Sequence, residues 1–306
     1  MLRVRPSSGR QFGRSLAIRE HVYEAQGGER DKMSLAGPKI RQYCALPNEE
    51  QSVLSETKIN ELIGQTLEKR DGAALRGEFE SGGNLLVIED FLPEELLNST
   101  LDEINRVRHR VNRNYVPHQK KGGAVSRHAI DREAEMIAGL YRSRPLRAFL
   151  EEISGARLLD CLPSDPHTYA LYFYTEPGDH ISWHYDTSFY RGRRFTLLFG
   201  MTQNESCLFE CETHRRDDSK ATESRAYSIK PGSLVFFDGD GLWHRVTKMA
   251  EGDSERIVIT MEFVTDQSMH PWRRLVSNVK DAVAYFGLRE VFARKATFSG
   301  APRSGT

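Results

Sequence analysis

The sequence predicts an α+β protein in which helices come first and a β-domain, either a double-sheet jelly roll or a barrel, follows. Three observations carry this. Up to residue 154 apolar residues recur close to the helical period of 3.6, whereas beyond Pro166 the chain breaks into eight short strand-like segments separated by turn residues. The composition agrees: 306 residues, 39% hydrophobic and 28% charged, are enough for a sizeable core and exclude a disordered, collagen-like or coiled-coil chain.

Taken in order, residues 1–50 read as a flexible extension. Positions 1–19 hold Arg3, Arg5, Arg10, Arg14 and Arg19, three serines and no acid. That is the composition of an organellar transit peptide over residues 1–32, but a flexible tail, or a chain beginning at Met33, is the simpler reading. A polar helix is expected over 53–80, punctuated by Ser81-Gly82-Gly83, and Leu85-Leu86-Val87-Ile88 reads as a buried strand. Pro93 opens a helix with its apolar side at Leu96, Leu97, Leu101, Ile104, Val107 and Val111. Residues 116–128 are expected as a loop in which Lys120 and Lys121, before Gly122-Gly123, make a cationic lid. Helices follow over 131–142 and 144–154, the second stopped by Gly155.

The expected strands are 168–174, 181–186, 194–201, 206–212, 225–229, 233–237, 242–248 and 255–264, with turns at Glu176-Pro177-Gly178-Asp179, Pro231-Gly232 and Asp238-Gly239-Asp240-Gly241. A last helix fits 276–294 and a loose tail 296–306. The domain is thus placed at 51–295, with its β-core at about 166–265.

Charge narrows the partners. With 43 Lys+Arg against 43 Asp+Glu, bulk electrostatic binding to nucleic acid or to an anionic membrane is not expected. No apolar run approaches the roughly 18 residues that span a bilayer. The four cysteines show no C-x-x-C spacing for zinc. A soluble, cytoplasmic protein acting on a small molecule is the expectation; its oligomeric state is not readable from the sequence.

The chemistry concentrates at Trp183-His184-Tyr185-Asp186. In a strand, residues i and i+2 face the same way, so His184 and Asp186 can share an ion. His244 lies on a late strand that a jelly roll brings beside an early one, and would complete a face of two imidazoles and one carboxylate. That donor set, with positions left open, belongs to non-heme Fe(II) oxygenases. Twelve residues after His244, Arg256 opens the strand Arg256-Ile-Val-Ile-Thr-Met-Glu-Phe263.

With these residues in place, Leu171–Phe263 resembles the catalytic core of the Fe(II)/2-oxoglutarate-dependent dioxygenases, in particular the prolyl-4-hydroxylase-like branch. The matching motifs are Tyr174-Thr-Glu-Pro-Gly178 before His184-Tyr-Asp186, then Arg193-Arg194-Phe-Thr196-Leu-Leu198, then Pro231-Gly-Ser-Leu-Val-Phe-Phe237 before His244. Leu86-Val-Ile-Glu-Asp-Phe-Leu-Pro-Glu-Glu95 resembles the strand-then-helix entry of the same families. Two departures are Val258, where an Arg-x-Ser pattern would place Ser, and Ser206-Cys-Leu-Phe-Glu210 in place of a glycine-rich strand.

The resemblance implies a jelly-roll (double-stranded β-helix) core and Fe(II), 2-oxoglutarate and O2 as cofactor and co-substrates. It implies His184, Asp186 and His244 as metal ligands, and Arg256 as the anchor of the far carboxylate of 2-oxoglutarate, with Tyr172 or Tyr174 adding a hydroxyl. Related halogenases carry a small residue in place of the carboxylate, so Asp186 disfavours halogenation; hydroxylation is the default outcome the resemblance implies, with desaturation or ring closure as alternatives. A softer likeness to small-molecule members acting on free amino acids, including hydroxylases related to the lysine halogenases, rests on the 116–128 segment and on His184-Tyr-Asp-x-x-Phe-Tyr-Arg-Gly-Arg193. On that reading Lys121, Arg191 and Arg193 would meet a substrate carboxylate and Glu176 an amine. A protein or peptide hydroxylase and a non-catalytic jelly-roll binding module are the alternatives.

Overall fold

The computed structural model describes residues 54–186 and 190–268; the extension at 1–50, the helix expected at 276–294 and the tail at 296–306 lie outside the described residues. The helical part is set by local caps. Helix α1 (Glu56–Leu67) begins at Ser55, whose hydroxyl accepts from the Lys58 N–H, and α2 (Gly72–Ser81) at Asp71, whose carboxylate accepts from the Ala74 N–H. The one helix expected over 53–80 is therefore two, because the Asp71 side chain competes for backbone donors and starts a new helix. Strand β1 (Leu85–Ile88) is followed by α3 (Glu94–Val107), which ends in a single 3-10 turn at Arg108–Arg110, so Val111 lies beyond it.

The expected lid at 116–128 is instead a β-hairpin, β2 (Asn112–Val116) and β3 (Lys120–Val125). Its sequence shows no apolar alternation; the strand is made by its neighbours, since β3 pairs with β2 along one edge and, along the other, with His180–Ile181 through its first half and Phe173–Leu171 through its second. Helix α4 (Arg127–Glu133) starts at Ser126, and α5 (Glu135–Arg142) follows immediately. The N-terminus of α5 has no cap of its own; the carboxylate of Glu103, reaching from α3, accepts from the Met136 and Ile137 N–H groups at 3.2 and 3.1 Å. Helix α6 (Arg144–Ser154) ends, as expected, at Gly155 in the left-handed conformation (φ 63°) that glycine adopts without penalty.

The remaining strands are β4 (Leu159–Asp160), β5 (Tyr169–Tyr174), β6 (His180–His184), β7 (Arg194–Gly200), β8 (Phe209–Thr213), β9 (Glu223–Tyr227), β10 (Leu234–Asp238), β11 (Trp243–Val246) and β12 (Arg256–Val264). All pairings are antiparallel, in the order β1-β10-β7-β12-β5-β3-β6-β11-β8-β9, with β2 and β4 attached to β3 and β12. This curled sheet, backed by helices, is the α+β jelly roll that the strand count predicts.

The pleat divides its labour by parity. In β12, Ile257, Ile259, Met261 and Phe263 pack in the main core with Ile59, Phe149, Leu150 and Ile153 of the helices. Arg256, Val258, Thr260 and Glu262, on the other face, line a cavity. In β7 the same holds for Phe195, Leu197 and Phe199 against Arg194, Thr196 and Leu198. One strand thus anchors the helices and furnishes the site at once. Replacing the buried Glu103 by Leu, which strips the α5 donors of their acceptor, is expected to cost about 1–3 kcal/mol in urea unfolding.

Candidate active site

His184 and His244 are direct partners across β6 and β11, and their ring centroids lie 4.2 Å apart. Asp186, two residues beyond His184, donates its N–H to the Gly239 carbonyl at 2.9 Å and so folds back beside both rings. Its Oδ1 lies 3.4 Å from His184 Nε2 and 3.7 Å from His244 Nε2, and one donor atom from each of the three residues falls within 4.8 Å of the others. These are spacings a single ion can bridge with bonds of about 2.1 Å.

The imidazoles are prepared for a metal. His184 Nδ1 contacts the Ser182 carbonyl at 2.8 Å and His244 Nδ1 that of Leu242 at 3.0 Å. A carbonyl can only accept, so each Nδ1 carries the hydrogen and each Nε2 presents its lone pair. Phe209 and Phe237 pack against the His244 ring at 5.4 and 4.9 Å. Burial, followed by the nearby His184, depresses His244 to about 4 and keeps it neutral. Burial alone would raise the Asp186 carboxyl, but His244, His184 and Arg194 outweigh it and hold it well below the usual range. A neutral pair of imidazoles and an ionised carboxylate are the states that metal ligation needs.

The cavity around the three residues has a volume of about 530 Å³. Arg256 lines it and is 2% exposed, yet its Nε and Nη1 have no hydrogen-bond partner. Its guanidinium stands 4.9 Å from the ring of Tyr174, whose hydroxyl burial pushes up to about 12 against the pull of that charge. A buried guanidinium with idle donors costs several kcal/mol unless an anion meets it, and a carboxylate does so with matching geometry. The donor set and this cation together fit iron and 2-oxoglutarate: His184, Asp186 and His244 would hold the metal and Arg256 the far carboxylate. Tyr174 and Tyr172 both line the cavity: Tyr174 stands beside Arg256, whereas the Tyr172 hydroxyl contacts His167 Nδ1 at 3.1 Å and its ring lies under Lys120 Nζ at 4.8 Å.

The four residues expected to meet the substrate lie elsewhere. Lys121 donates to the Pro177 carbonyl at 2.9 Å and pairs with Glu176 at 3.4 Å; Arg113 holds the same Glu176 at 2.9 Å. Arg193 pairs with Asp238 at 2.8 Å and Arg191 is exposed. None of the four lines the cavity. For Lys121 and Arg193 alternation is the reason, since their neighbours Lys120 and Arg194 point inward, whereas Glu176 and Arg191 lie outside the strands. Lys120 is buried, and burial lowers its ammonium well below the usual lysine range. Arg194 makes a short, buried ion pair with Glu262. The sequence did carry a signal for this inner set: Arg256, Thr260 and Glu262 recur at even spacing in an otherwise apolar strand. Trp183 and Trp243, stacked at 6.1 Å and 8°, brace the strands that carry the two histidines.

Residues 168–263 match the model of the 2OG-Fe(II) oxygenase superfamily. The domain is a 2OG-Fe(II) oxygenase. It uses iron and 2-oxoglutarate, and the triad and Arg256 all fall within the matched segment. A second family model, Halogenase D, matches residues 67–191 of the oxygenase. No curated protein matches the chain. Among solved structures, a prolyl hydroxylase from Trichoplax adhaerens in complex with a hypoxia inducible factor peptide shares 14% identity with the oxygenase at a TM-score of 0.53, covering 73% of this chain and 99% of its own. The epimerase SnoN from nogalamycin biosynthesis shares 12% at 0.51, over 63% and 80% of the two chains. The carbocyclase SnoK of the same biosynthesis shares 13% at 0.51, over 64% and 85%. At these identities the likeness is one of fold.

Two outcomes follow from this geometry. His244 titrates at about 4 when folded against 6.5 when unfolded, so between those values the unfolded chain binds more protons. Metal-free protein should therefore lose stability as pH falls from 6.5 towards 4, measured by urea unfolding across that window, and His244→Gln should flatten the slope. Replacing Arg256 by Gln should weaken 2-oxoglutarate binding by roughly 30-fold or more, read by calorimetry on Mn(II)-loaded protein.

Proposed function

We propose that this oxygenase hydroxylates an unactivated C–H bond of a small polar substrate, a free amino acid or a derivative of one. The observation that carries the reading is the charge pattern of the cavity. Beyond the groups assigned to metal and 2-oxoglutarate, its wall holds the Lys120 amine together with the Arg194–Glu262 ion pair, so basic and acidic groups both line it. A zwitterion is the ligand class that such a wall suits. The Halogenase D match over residues 67–191 includes the β2–β3 hairpin and Lys120.

When bound, iron and 2-oxoglutarate supply dioxygen activation coupled to decarboxylation, giving succinate and CO2 and one oxygen atom for the substrate. The protein's part is to bind, orient and exclude. Arg256 would fix one end of 2-oxoglutarate, Asp186 would supply the carboxylate ligand where related halogenases carry a small residue, and the aromatic wall of Phe209, Phe237 and Tyr174 would keep water from the reacting centre. Asp186 therefore favours hydroxylation over halogenation.

The test is succinate release screened against an amino-acid library. One amino acid or derivative should stimulate turnover and gain a single oxygen atom, and His184→Ala or Asp186→Ala should abolish turnover. Stimulation by peptides alone would overturn the small-substrate reading.

A further inference from the structure

Asp186 has two carboxylate oxygens, and a ligand that used both would close a coordination position that the reaction needs open. The surroundings treat the two oxygens differently. Oδ1 faces both histidines, at 3.4 and 3.7 Å, while Oδ2 accepts from the Thr196 hydroxyl at 2.8 Å. That hydroxyl also lies 3.3 Å from Glu262 Oε2, but it has one hydrogen to give, and the Glu262 oxygen is already met by the Arg194 guanidinium. The hydrogen therefore goes to Asp186.

The turn between β10 and β11 makes this contact possible. Gly239 accepts the Asp186 N–H at 2.9 Å and donates its own N–H to the Arg194 carbonyl at 2.8 Å. The Arg194 N–H in turn donates to Asp240 Oδ2 at 2.8 Å, and Arg193 pairs with Asp238, so the turn is tied to the start of β7 along its length. A Cβ at position 239 would lie 2.8 Å from Thr196 Oγ1 and 3.1 Å from Asp186 Cβ. Only glycine lets the turn, the threonine and the carboxylate meet in one place.

We propose that Thr196 and Gly239 are positioning residues that together restrain Asp186 to one-oxygen ligation of the metal. Thr196 engages the second oxygen directly, and Gly239 leaves the space in which it does so. Neither touches the reacting atoms; both act through Asp186. The Arg194–Glu262 pair completes the device by removing the competing acceptor.

Anaerobic Fe(II) titration of Thr196→Val, Thr196→Ser and Gly239→Ala, with the visible charge-transfer band of the 2-oxoglutarate complex as a second readout, tests this. Thr196→Val should weaken Fe(II) binding by roughly 10-fold or more and displace the band, as loss of a hydrogen bond to a metal ligand does. Thr196→Ser should restore both, and Gly239→Ala should reproduce the valine result. If Thr196→Val lowers only the melting temperature of the apoprotein and leaves affinity and band unchanged, the proposal is overturned. The Val and Ser pair decides it even if Gly239→Ala fails to fold. Wild-type protein that bound no Fe(II) would refute the metal centre itself, a separate outcome.

Discussion

The site depends on one pairing: His184 opposite His244 across β6 and β11. In this register the two imidazoles on adjacent antiparallel strands approach to 4.2 Å, and a slip of one residue would turn one of them away from the other. The pairing is braced on the outer face by Trp183 against Trp243 and on the inner face by Phe209 and Phe237. Asp186 joins through its backbone hydrogen bond to Gly239 and the Thr196 hydroxyl on its carboxylate, so the third ligand is set by a turn and by β7 and not by the β6–β11 pairing.

Much of this was legible in the sequence, for identifiable reasons. The strands announced themselves by length, apolar content and punctuation, and Gly155 ended its helix where a left-handed residue was needed. The H-x-D spacing correctly put His184 and Asp186 together, although β6 ends at His184 and Asp186 is brought back by its hydrogen bond to Gly239 rather than by a shared strand face. The β2–β3 hairpin was not legible, because Lys-Lys-Gly-Gly has neither apolar alternation nor strand propensity and is a strand only through its partners on both sides. The break at Asp71 was missed because a polar stretch is compatible with one helix or two.

Substrate-side residues were the least legible. In Lys120-Lys121 and in Arg193-Arg194, two identical neighbours compete for one inward position, and nothing in the pair says which parity the strand adopts. The outward members close ion pairs with Glu176 and Asp238, so both members have structural work, of different kinds. A buried partner such as Glu262 could be read only from its even spacing to Arg256.

Along the edge opposite β2, β3 pairs with both β5 and β6, which are consecutive in the chain. The strand carrying Lys120 thus ties the strand that carries the tyrosines to the strand that carries His184 and leads to Asp186. The metal strand and the co-substrate strand communicate through an element encoded some fifty residues earlier, ahead of three helices. Changes in that hairpin can retune what the wall recognises while leaving the iron ligands and Arg256 on their own strands. On the proposed function, recognition and chemistry would rest on separate strands that share one cavity.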